Sequence, residues 1–150
     1  MKKLFFLPVL AMLLAMTGCT KEETTVVLNR SSYVYTEYCT VNPNDWHWNA
    51  NITQLEYSYY NEYIDESMID RSFVLVYFLE TSGDEQGVDV PLPAIIYSAD
   101  GLHSGRIRYD VRKGEVRLIV ESIDGDNSAL LAMLNNSAMN FKICMMINAE

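Results

Sequence analysis

The sequence has few basic residues, few histidines and few cysteines, and each shortage argues against a class of protein. Its 150 residues include 11 Lys and Arg against 20 Asp and Glu, a formal net charge of −9. Nucleic-acid binding depends on Lys and Arg that neutralise phosphates, so this balance argues against a nucleic-acid partner. The two histidines, His47 and His103, lack the spacing of zinc ligands. Three cysteines are too few for a disulfide framework.

The rest of the composition is that of one folded domain. Apolar residues make up 49% of the chain, and 10 Tyr, 5 Phe and 2 Trp are too many for a disordered tail. A chain of this length forms a single domain with a sizeable core. The sequence has no internal repeat, no second composition regime and no interdomain linker.

The N-terminus has the pattern of a secretory signal peptide. Lys2 and Lys3 precede an apolar run from Leu4 to Met16. This run is shorter than the roughly 20 apolar residues that a membrane-spanning helix needs. We therefore predict that residues 1–18 are a signal peptide and take no part in the fold.

The end of this segment, Met16-Thr17-Gly18-Cys19, resembles the bacterial lipobox. The resemblance implies that the Cys19 thiol receives a diacylglyceryl group, that the chain is cut before Cys19, and that the new amine is acylated. Acyl chains such as palmitate then anchor the protein to a membrane through Cys19.

The residues after Cys19 predict where the protein is sent. The residue directly after Cys19 is Thr20 rather than Asp, which resembles the pattern in lipoproteins that are passed on to the outer membrane. The next three residues, Lys21-Glu22-Glu23, resemble the acidic export signal of Bacteroidetes surface lipoproteins. The resemblance implies an outer-membrane protein facing the cell exterior. A second interpretation, compatible with the first, is that residues 19–25 form a solvated, lipidated tether. Residues 26–150 are then a single domain.

Period-two patterns dominate this domain. Val26–Val41 is rich in Val, Tyr and Thr, and Gln54–Tyr60 alternates apolar and polar residues. Phe73–Leu79 is a continuous apolar run, which predicts a central strand buried on both faces. Arg106–Glu121 predicts an antiparallel hairpin that turns at Lys113-Gly114.

Phe141–Ile147 predicts a last strand, and two short segments predict helical turns. Ile64–Ile69 has Asp65 placed as an N-cap, and Ala129–Leu134 follows Asn127-Ser128. We therefore predict an all-β fold, an antiparallel β-sandwich of about seven strands with one or two short helical turns.

The order of several short motifs resembles a family of small β-sandwich outer-membrane lipoproteins of gut Bacteroidetes whose function is unknown. The motifs span roughly Val34 to Ile147 and are Asp45-Trp46, Tyr57 with Tyr59, Ile64-Asp65-Glu66, Val74-Leu75-Val76-Tyr77, Leu92-Pro93 and Phe141-Lys142-Ile143. The resemblance favours the sandwich and the outer-membrane location. It implies no activity.

No pattern in the sequence indicates a catalytic centre, a metal site or a cofactor. Gly101–Gly105 holds a serine between glycines but lacks the Gly-x-Ser-x-Gly order of a nucleophile elbow. Asp124–Ser128 begins like a calcium loop, but Ala129 replaces the required Gly and Asn135 the bidentate Glu. We therefore expect no catalytic residue, no metal and no cofactor, and a protein that is not an enzyme.

Two further patterns each leave two interpretations open. Cys39 and Cys144 fall in the first and last predicted strands, where they form either a disulfide or two free buried thiols. The predicted hairpin carries five bases, which either pair with acids across strands or form a docking face for an acidic partner or anionic glycan. These bases are Arg106, Arg108, Arg112, Lys113 and Arg117.

The aromatic candidates for stacking on a sugar are Trp46, Trp48, Tyr33 and Tyr35, and Trp48 is the one that we select as a ligand-binding residue. Trp46 and Trp48 have the same strand parity, yet Trp46 belongs to a family motif typical of a core residue. We predict that a bend after Asp45 breaks the parity, which buries Trp46 and exposes Trp48 for stacking against a ligand.

These observations favour a surface-anchored lipoprotein with a non-catalytic module that binds a protein or glycan partner. One alternative is a hydrolase of extracellular glycans that uses paired carboxylates, although no pair stands out among the many acids. Another is a fimbrial-type subunit that polymerises by strand exchange, which needs an exposed first or last strand.

Overall fold

The computed structural model describes residues 24–29, 32–80 and 87–148. The predicted signal peptide, Cys19 and most of the tether lie outside these residues. The first described strand includes Thr24 and Thr25, which the sequence analysis assigned to the tether.

The described chain forms ten strands, two short helices and a 3₁₀ turn at Pro43–Asp45. The strands are β1 (Thr24–Asn29), β2 (Ser32–Val41), β3 (His47–Asn49), β4 (Gln54–Tyr60), β5 (Phe73–Glu80), β6 (Val88–Pro91), β7 (Ala94–Tyr97), β8 (Ser104–Arg112), β9 (Glu115–Ser122) and β10 (Met139–Asn148). The helices are α1 (Glu66–Arg71) and α2 (Asn127–Leu134).

The strands form two antiparallel sheets of five strands each. Sheet A has the order β1-β2-β10-β5-β6, and sheet B has the order β3-β4-β9-β8-β7. The predicted all-β sandwich is confirmed, with ten strands in place of about seven. The predicted number of strands was too low for two reasons. Val26–Val41 falls into the two paired strands β1 and β2, and β3, β6 and β7 are too short to show a two-residue alternation.

The core lies between the sheets and is built from alternate residues of each strand. On β10, Phe141, Ile143 and Met145 are buried, and they face Ile107 and Leu118 of sheet B in one continuous cluster. The strand itself pairs with β2 on one side and β5 on the other. The last described strand is therefore the centre of sheet A.

A buried carboxylate joins the two sheets inside this core. Glu37 on β2 is fully buried, and its Oε2 accepts a hydrogen bond from the Tyr59 hydroxyl on β4 and another, at 2.7 Å, from Asn61 Nδ2. Burial, followed by the bond to Glu37, raises the pKa of Tyr59 well above its usual value. Asn61 N donates in turn to the Gly114 carbonyl at 2.9 Å, which connects the core carboxylate to the β8–β9 turn.

The chain crosses from one sheet to the other at Leu92–Pro93. β6 is the edge strand of sheet A and β7 the edge strand of sheet B, so the two residues between them span the side of the sandwich. The peptide bond is cis, and the Leu92 side chain is buried. Proline has no backbone N–H to donate within a β-sheet, so it suits the point where the chain leaves one sheet and joins the other.

Both predicted helical turns are present and are capped by aspartates. Asp65 Oδ1 accepts from Met68 N at 2.7 Å at the start of α1, as predicted. Asp126 Oδ1 caps α2, accepting from two backbone amides at 3.0 Å each. Leu130 of α2 lies directly over Gly105 of β8, where a Cβ would stand only 2.8 Å from Leu130 Cδ1.

The prediction that Phe73–Leu79 is buried on both faces is wrong. Val76 of β5 faces the core and is 2% exposed, but Leu75 is 41% exposed on the outer face of sheet A, and Phe73 is exposed on the same side. No described helix covers this outer face. The continuous apolar run therefore belongs to a strand that has one face in the core and the other face exposed to solvent.

The two faces of β5 should respond differently to a charge. We expect Val76→Asp to destabilise the fold by about 4 kcal/mol or more, because it places an unpaired carboxylate in the core. Leu75→Asp, its neighbour, is the matched control and should cost about 1 kcal/mol or less. Urea denaturation followed by tryptophan fluorescence measures both, and equal losses in the two variants would contradict the assigned faces.

Candidate functional site

The predicted difference between the two tryptophans is confirmed. Trp46 is 8% exposed and Trp48 is 40% exposed. The Trp46 ring packs edge-on against Tyr57 and Phe141, with ring centroids 6.3 and 6.5 Å away. Trp46 is therefore a core residue, and Trp48 is an accessible aromatic side chain.

The reason given for that difference, a break in parity, is wrong. Trp48 pairs with Leu55, whose side chain is in the core, and Trp46 contacts Tyr57 on the same side of β4. Both tryptophans thus face the core side of sheet B. Trp48 is exposed because β3 is the edge strand of that sheet. Whether Trp48 binds a ligand stays a prediction.

Cys39 and Cys144 do not form a disulfide with each other. Cys144 is a free thiol. Cys39 lies opposite Phe141 in the β2–β10 ladder and Cys144 lies opposite Thr36, so the two cysteines are on opposite faces of sheet A. Their side chains therefore point away from each other.

The basic residues of the β8–β9 hairpin are paired with acids on the strands of sheet B and on α1. Arg117 contacts both Asp110 and Glu56, and its hydrogen bonds hold the pKa of the Asp110 carboxyl below its usual value. Arg112 lies opposite Glu115 in register, but its ion pair is with Asp110, at 3.7 Å. Every base named in the sequence analysis has such a partner, in the pairs Arg106–Glu121, Arg108–Glu121, Arg112–Asp110, Lys113–Glu66 and Arg117–Asp110. This arrangement favours cross-strand pairing over a docking face.

A cleft at the opposite edge of sheet B has more of the features of a binding site. A cavity of about 650 Å³ lies between the β7–β8 loop and α2, and a second of about 520 Å³ continues past β7 towards the start of β10. The two share Tyr97, Met133 and Ser137, and Tyr97 is 67% exposed. We call them together the Tyr97 cleft. Its aromatic and polar lining includes Tyr97, Ser98, Asp100, His103, Asn136 and Ser137.

One wall of the Tyr97 cleft is a tightly hydrogen-bonded loop. Ser98 N donates to the His103 carbonyl and His103 N donates to Ser98 Oγ, both at 3.0 Å. Asp100 Oδ1 accepts from the Ser98 hydroxyl and from Leu102 N, which holds the pKa of Asp100 below its usual value. Gly101 has a φ of 71°, a conformation that favours glycine. The conformation of the loop is thus fixed by its own hydrogen bonds.

His103 is oriented by a carboxylate that is itself held in place. Its Nδ1 lies 3.3 Å from Asp124 Oδ2. Asp124 accepts from the backbone of Asp126 and Ser104 and from the Ser122 hydroxyl, and these bonds keep its pKa far below the usual value. When the imidazole is neutral and Nδ1 donates to Asp124, Nε2 is left as a hydrogen-bond acceptor.

The second wall of the Tyr97 cleft is α2 and the residues that follow it. Ala129 and Ala132 line the cleft, and their small side chains leave room beside Tyr97. Asn136 Nδ2 donates to the Ala132 carbonyl at 2.7 Å, which fixes the amide and presents its Oδ1 as an acceptor. Asp124–Ser128 begins like a calcium loop in sequence but was not predicted to bind a metal, because Ala129 and Asn135 break the pattern. In the structure Asp124 orients His103, and Asp126 caps α2.

Sequence reasoning missed the Tyr97 cleft because its walls come from segments about thirty residues apart in the chain. The available signal was weak: Tyr97 ends an apolar stretch and is followed at once by the turn residues Ser98–Gly101. Nothing in that pattern shows that α2 faces the same turn.

Comparison with known proteins identifies no relative. No family model matches the chain, and no match was found among curated proteins or solved structures. Among the described residues, neither helix has the length and apolarity needed to cross a bilayer.

The two tryptophans should differ in both stability and accessibility. We expect Trp46→Ala to cost about 3–5 kcal/mol, as truncation of a core aromatic does, and Trp48→Ala about 1 kcal/mol. Iodide quenching distinguishes them: with Trp46→Phe the remaining Trp48 should be strongly quenched, and with Trp48→Phe the remaining Trp46 should be protected. Equal quenching constants would contradict the assignment.

Proposed function

We propose that this protein is a lipid-anchored, non-catalytic binding module of the outer membrane, and that it binds its ligand in the Tyr97 cleft. The observation that carries the binding role is the combination of an exposed aromatic ring with polar side chains already fixed by internal hydrogen bonds. Groups held in place before a ligand arrives lose little entropy on binding, which is typical of recognition sites.

The anchor is proposed from the sequence. The basic start, the apolar run and the lipobox-like residues before Cys19 occur in the order and length of a lipoprotein signal. Lipid on Cys19 would hold the domain at a membrane, and Thr20–Glu23 supports placement on the outer membrane facing the exterior.

The ionisation of Asp100, which lines the Tyr97 cleft, and of Asp124, which lies behind His103, supports binding over hydrolysis. A glycoside hydrolase needs one carboxyl group that stays protonated to donate to the leaving oxygen. The hydrogen bonds to Asp100 and Asp124 lower the pKa of both, so each is an anion near neutral pH. A fimbrial subunit that exchanges its last strand is also less favoured, because β10 would have to leave ladders on both sides. Exchange of the first described strand stays an alternative, because β1 is at the edge of sheet A and pairs with β2 alone.

The anchor can be tested by changing the cysteine. Cys19→Ala should release the protein from membranes and leave it as a larger, unprocessed precursor, because the thiol that carries the lipid is lost. Mass spectrometry of the N-terminal peptide and sedimentation with outer membranes measure both effects. Cys144→Ala is the control and should be processed and anchored normally.

Two results would contradict the anchor. One is a Cys19→Ala protein that is still cut and still sediments with outer membranes. The other is an N-terminal peptide in which Cys19 is joined to another cysteine, since one sulfur cannot be both a thioether and a disulfide.

The binding site can be tested without knowing the ligand. We expect at least one of four probe sets (neutral methyl glycosides, alkyl amines, small carboxylates or tripeptides) to show saturation-transfer NMR signals with the full chain. Tyr97→Ala should abolish those signals while changing stability by about 0.5 kcal/mol or less, because Tyr97 is mostly exposed. Tyr60→Ala, which removes another exposed tyrosine, should leave them unchanged.

Two outcomes oppose the cleft as the binding site. If no probe set binds, the Tyr97 cleft is not a site for small ligands. If binding survives Tyr97→Ala but is lost in Trp48→Ala, the ligand lies at the other edge of sheet B, where the sequence placed it.

A further inference from the structure

We infer that the ligand of the Tyr97 cleft is a neutral oligosaccharide, with one pyranose ring stacked on Tyr97 and further units extending to either side. This inference rests on the proposed function, because it names the ligand class for the same cleft. Charge, ring exposure, hydrogen-bonding groups and shape each contribute to it.

The charge of the cleft disfavours an anionic ligand. Among the described lining residues of both cavities there is no Lys or Arg, while Asp100 and Glu80 are acidic. Asp124, held as an anion, lies just behind His103. An incoming phosphate, sulfate or uronate would meet these carboxylates with no Lys or Arg among the lining residues to offset them, and His103 already faces Asp124 and Asp126. This balance opposes association with an anion.

Tyr97 supplies the apolar surface that a sugar ring needs. A pyranose has one or two faces of C–H groups that pack against an aromatic ring, while its hydroxyls lie at the ring's edge. Tyr97 lies where the two cavities meet, so a ring packed on it has space on both sides. A side chain this exposed gains by being covered, because burying an aromatic face releases water from it.

The polar groups beside Tyr97 match the edge of a sugar ring. Both internal bonds to Asp100 end on Oδ1, so Oδ2 is left to accept from a hydroxyl. Asn136 presents Oδ1, which makes two acceptors beside the aromatic ring, and His103 adds Nε2 in the tautomer whose Nδ1 donates to Asp124. Ser137, with an exposed hydroxyl, can donate as well as accept. Adjacent hydroxyls that donate and accept can use all of these groups, whereas an amine would leave the Ser137 donor unused.

The two cavities favour a chain over a single sugar. Tyr97 lines both of them, and their volumes are about 650 and 520 Å³. A monosaccharide would fill only the space at Tyr97, so a longer oligomer should gain contacts at each additional unit. Affinity is therefore expected to rise with chain length.

The experiment uses the full chain with saturation-transfer NMR and titration calorimetry. The probes are the methyl glycosides of glucose, galactose, mannose and N-acetylglucosamine, with a neutral trisaccharide of each, and the amine, carboxylate and tripeptide sets serve for comparison. We expect at least one sugar series to bind, with the trisaccharide about ten-fold or more tighter than the methyl glycoside. Saturation should be strongest at the C–H protons of one ring face.

Matched variants locate the contact. Tyr97→Ala should weaken binding of the best trisaccharide about ten-fold or more, the loss expected for a residue that dominates an interface. Tyr97→Phe keeps the ring and should bind within about three-fold of the wild type. Asp100→Asn should weaken binding less than Tyr97→Ala, and Tyr60→Ala should have no effect.

Each of three other outcomes would overturn a specific part of this inference. If only amines, carboxylates or tripeptides bind and Tyr97→Ala removes that binding, the cleft is a site but the sugar assignment is wrong. If sugars bind and Tyr97→Ala binds them equally well, the stacking assignment is wrong. If no probe of any class binds, both the ligand class and the proposed function fail.

Discussion

Glu37 sits in the middle of the core, and the hydrogen bonds it accepts from Tyr59 and Asn61 tie sheet A to sheet B. Apolar packing alone would allow one sheet to shift slightly over the other. The hydrogen bonds to Glu37 do not allow such a shift, because a buried carboxylate that loses a donor is destabilised by several kcal/mol. Asn61 carries the constraint further, because its backbone bonds to the β8–β9 turn at Gly114. The hydrogen bonds of Glu37 therefore fix how the two sheets are stacked, and the stacking sets where the sheet edges lie.

The Tyr97 cleft is a product of those edges. β6 and β7 end the two sheets on the same side of the sandwich, and the Leu92–Pro93 crossing joins them. A sandwich is open along such a side, and here α2 and the segment before β10 close part of it. The polar side chains that line the cleft stand on short hydrogen-bonded loops, and the sheets beneath supply rigidity. Such loops on a rigid scaffold are common in β-sandwich proteins.

Local patterns predicted what depends on neighbours in the chain. The β8–β9 hairpin and the Asp65 cap formed as expected because alternation and capping act within a few residues. The burial of Glu37 was readable in principle, since it shares parity with Tyr35 and Cys39, but a carboxylate in a strand normally indicates the wet face. The exposed side of β5 and the edge position of Trp48 depend on which strands become neighbours. The sequence of one short segment does not show which strands become its neighbours. It likewise does not show that two distant segments form the walls of one cleft.

Gly105 supports one wall of the cleft from a position that is not among the lining residues. Leu130 of α2 rests on this glycine so closely that an added methyl group would displace the Leu130 side chain. Leu130 is buried, and the same helix carries Ala129 and Ala132 of the cleft wall. A substitution at Gly105 would therefore reach the cleft indirectly, through the seating of a helix and without a change in any lining residue.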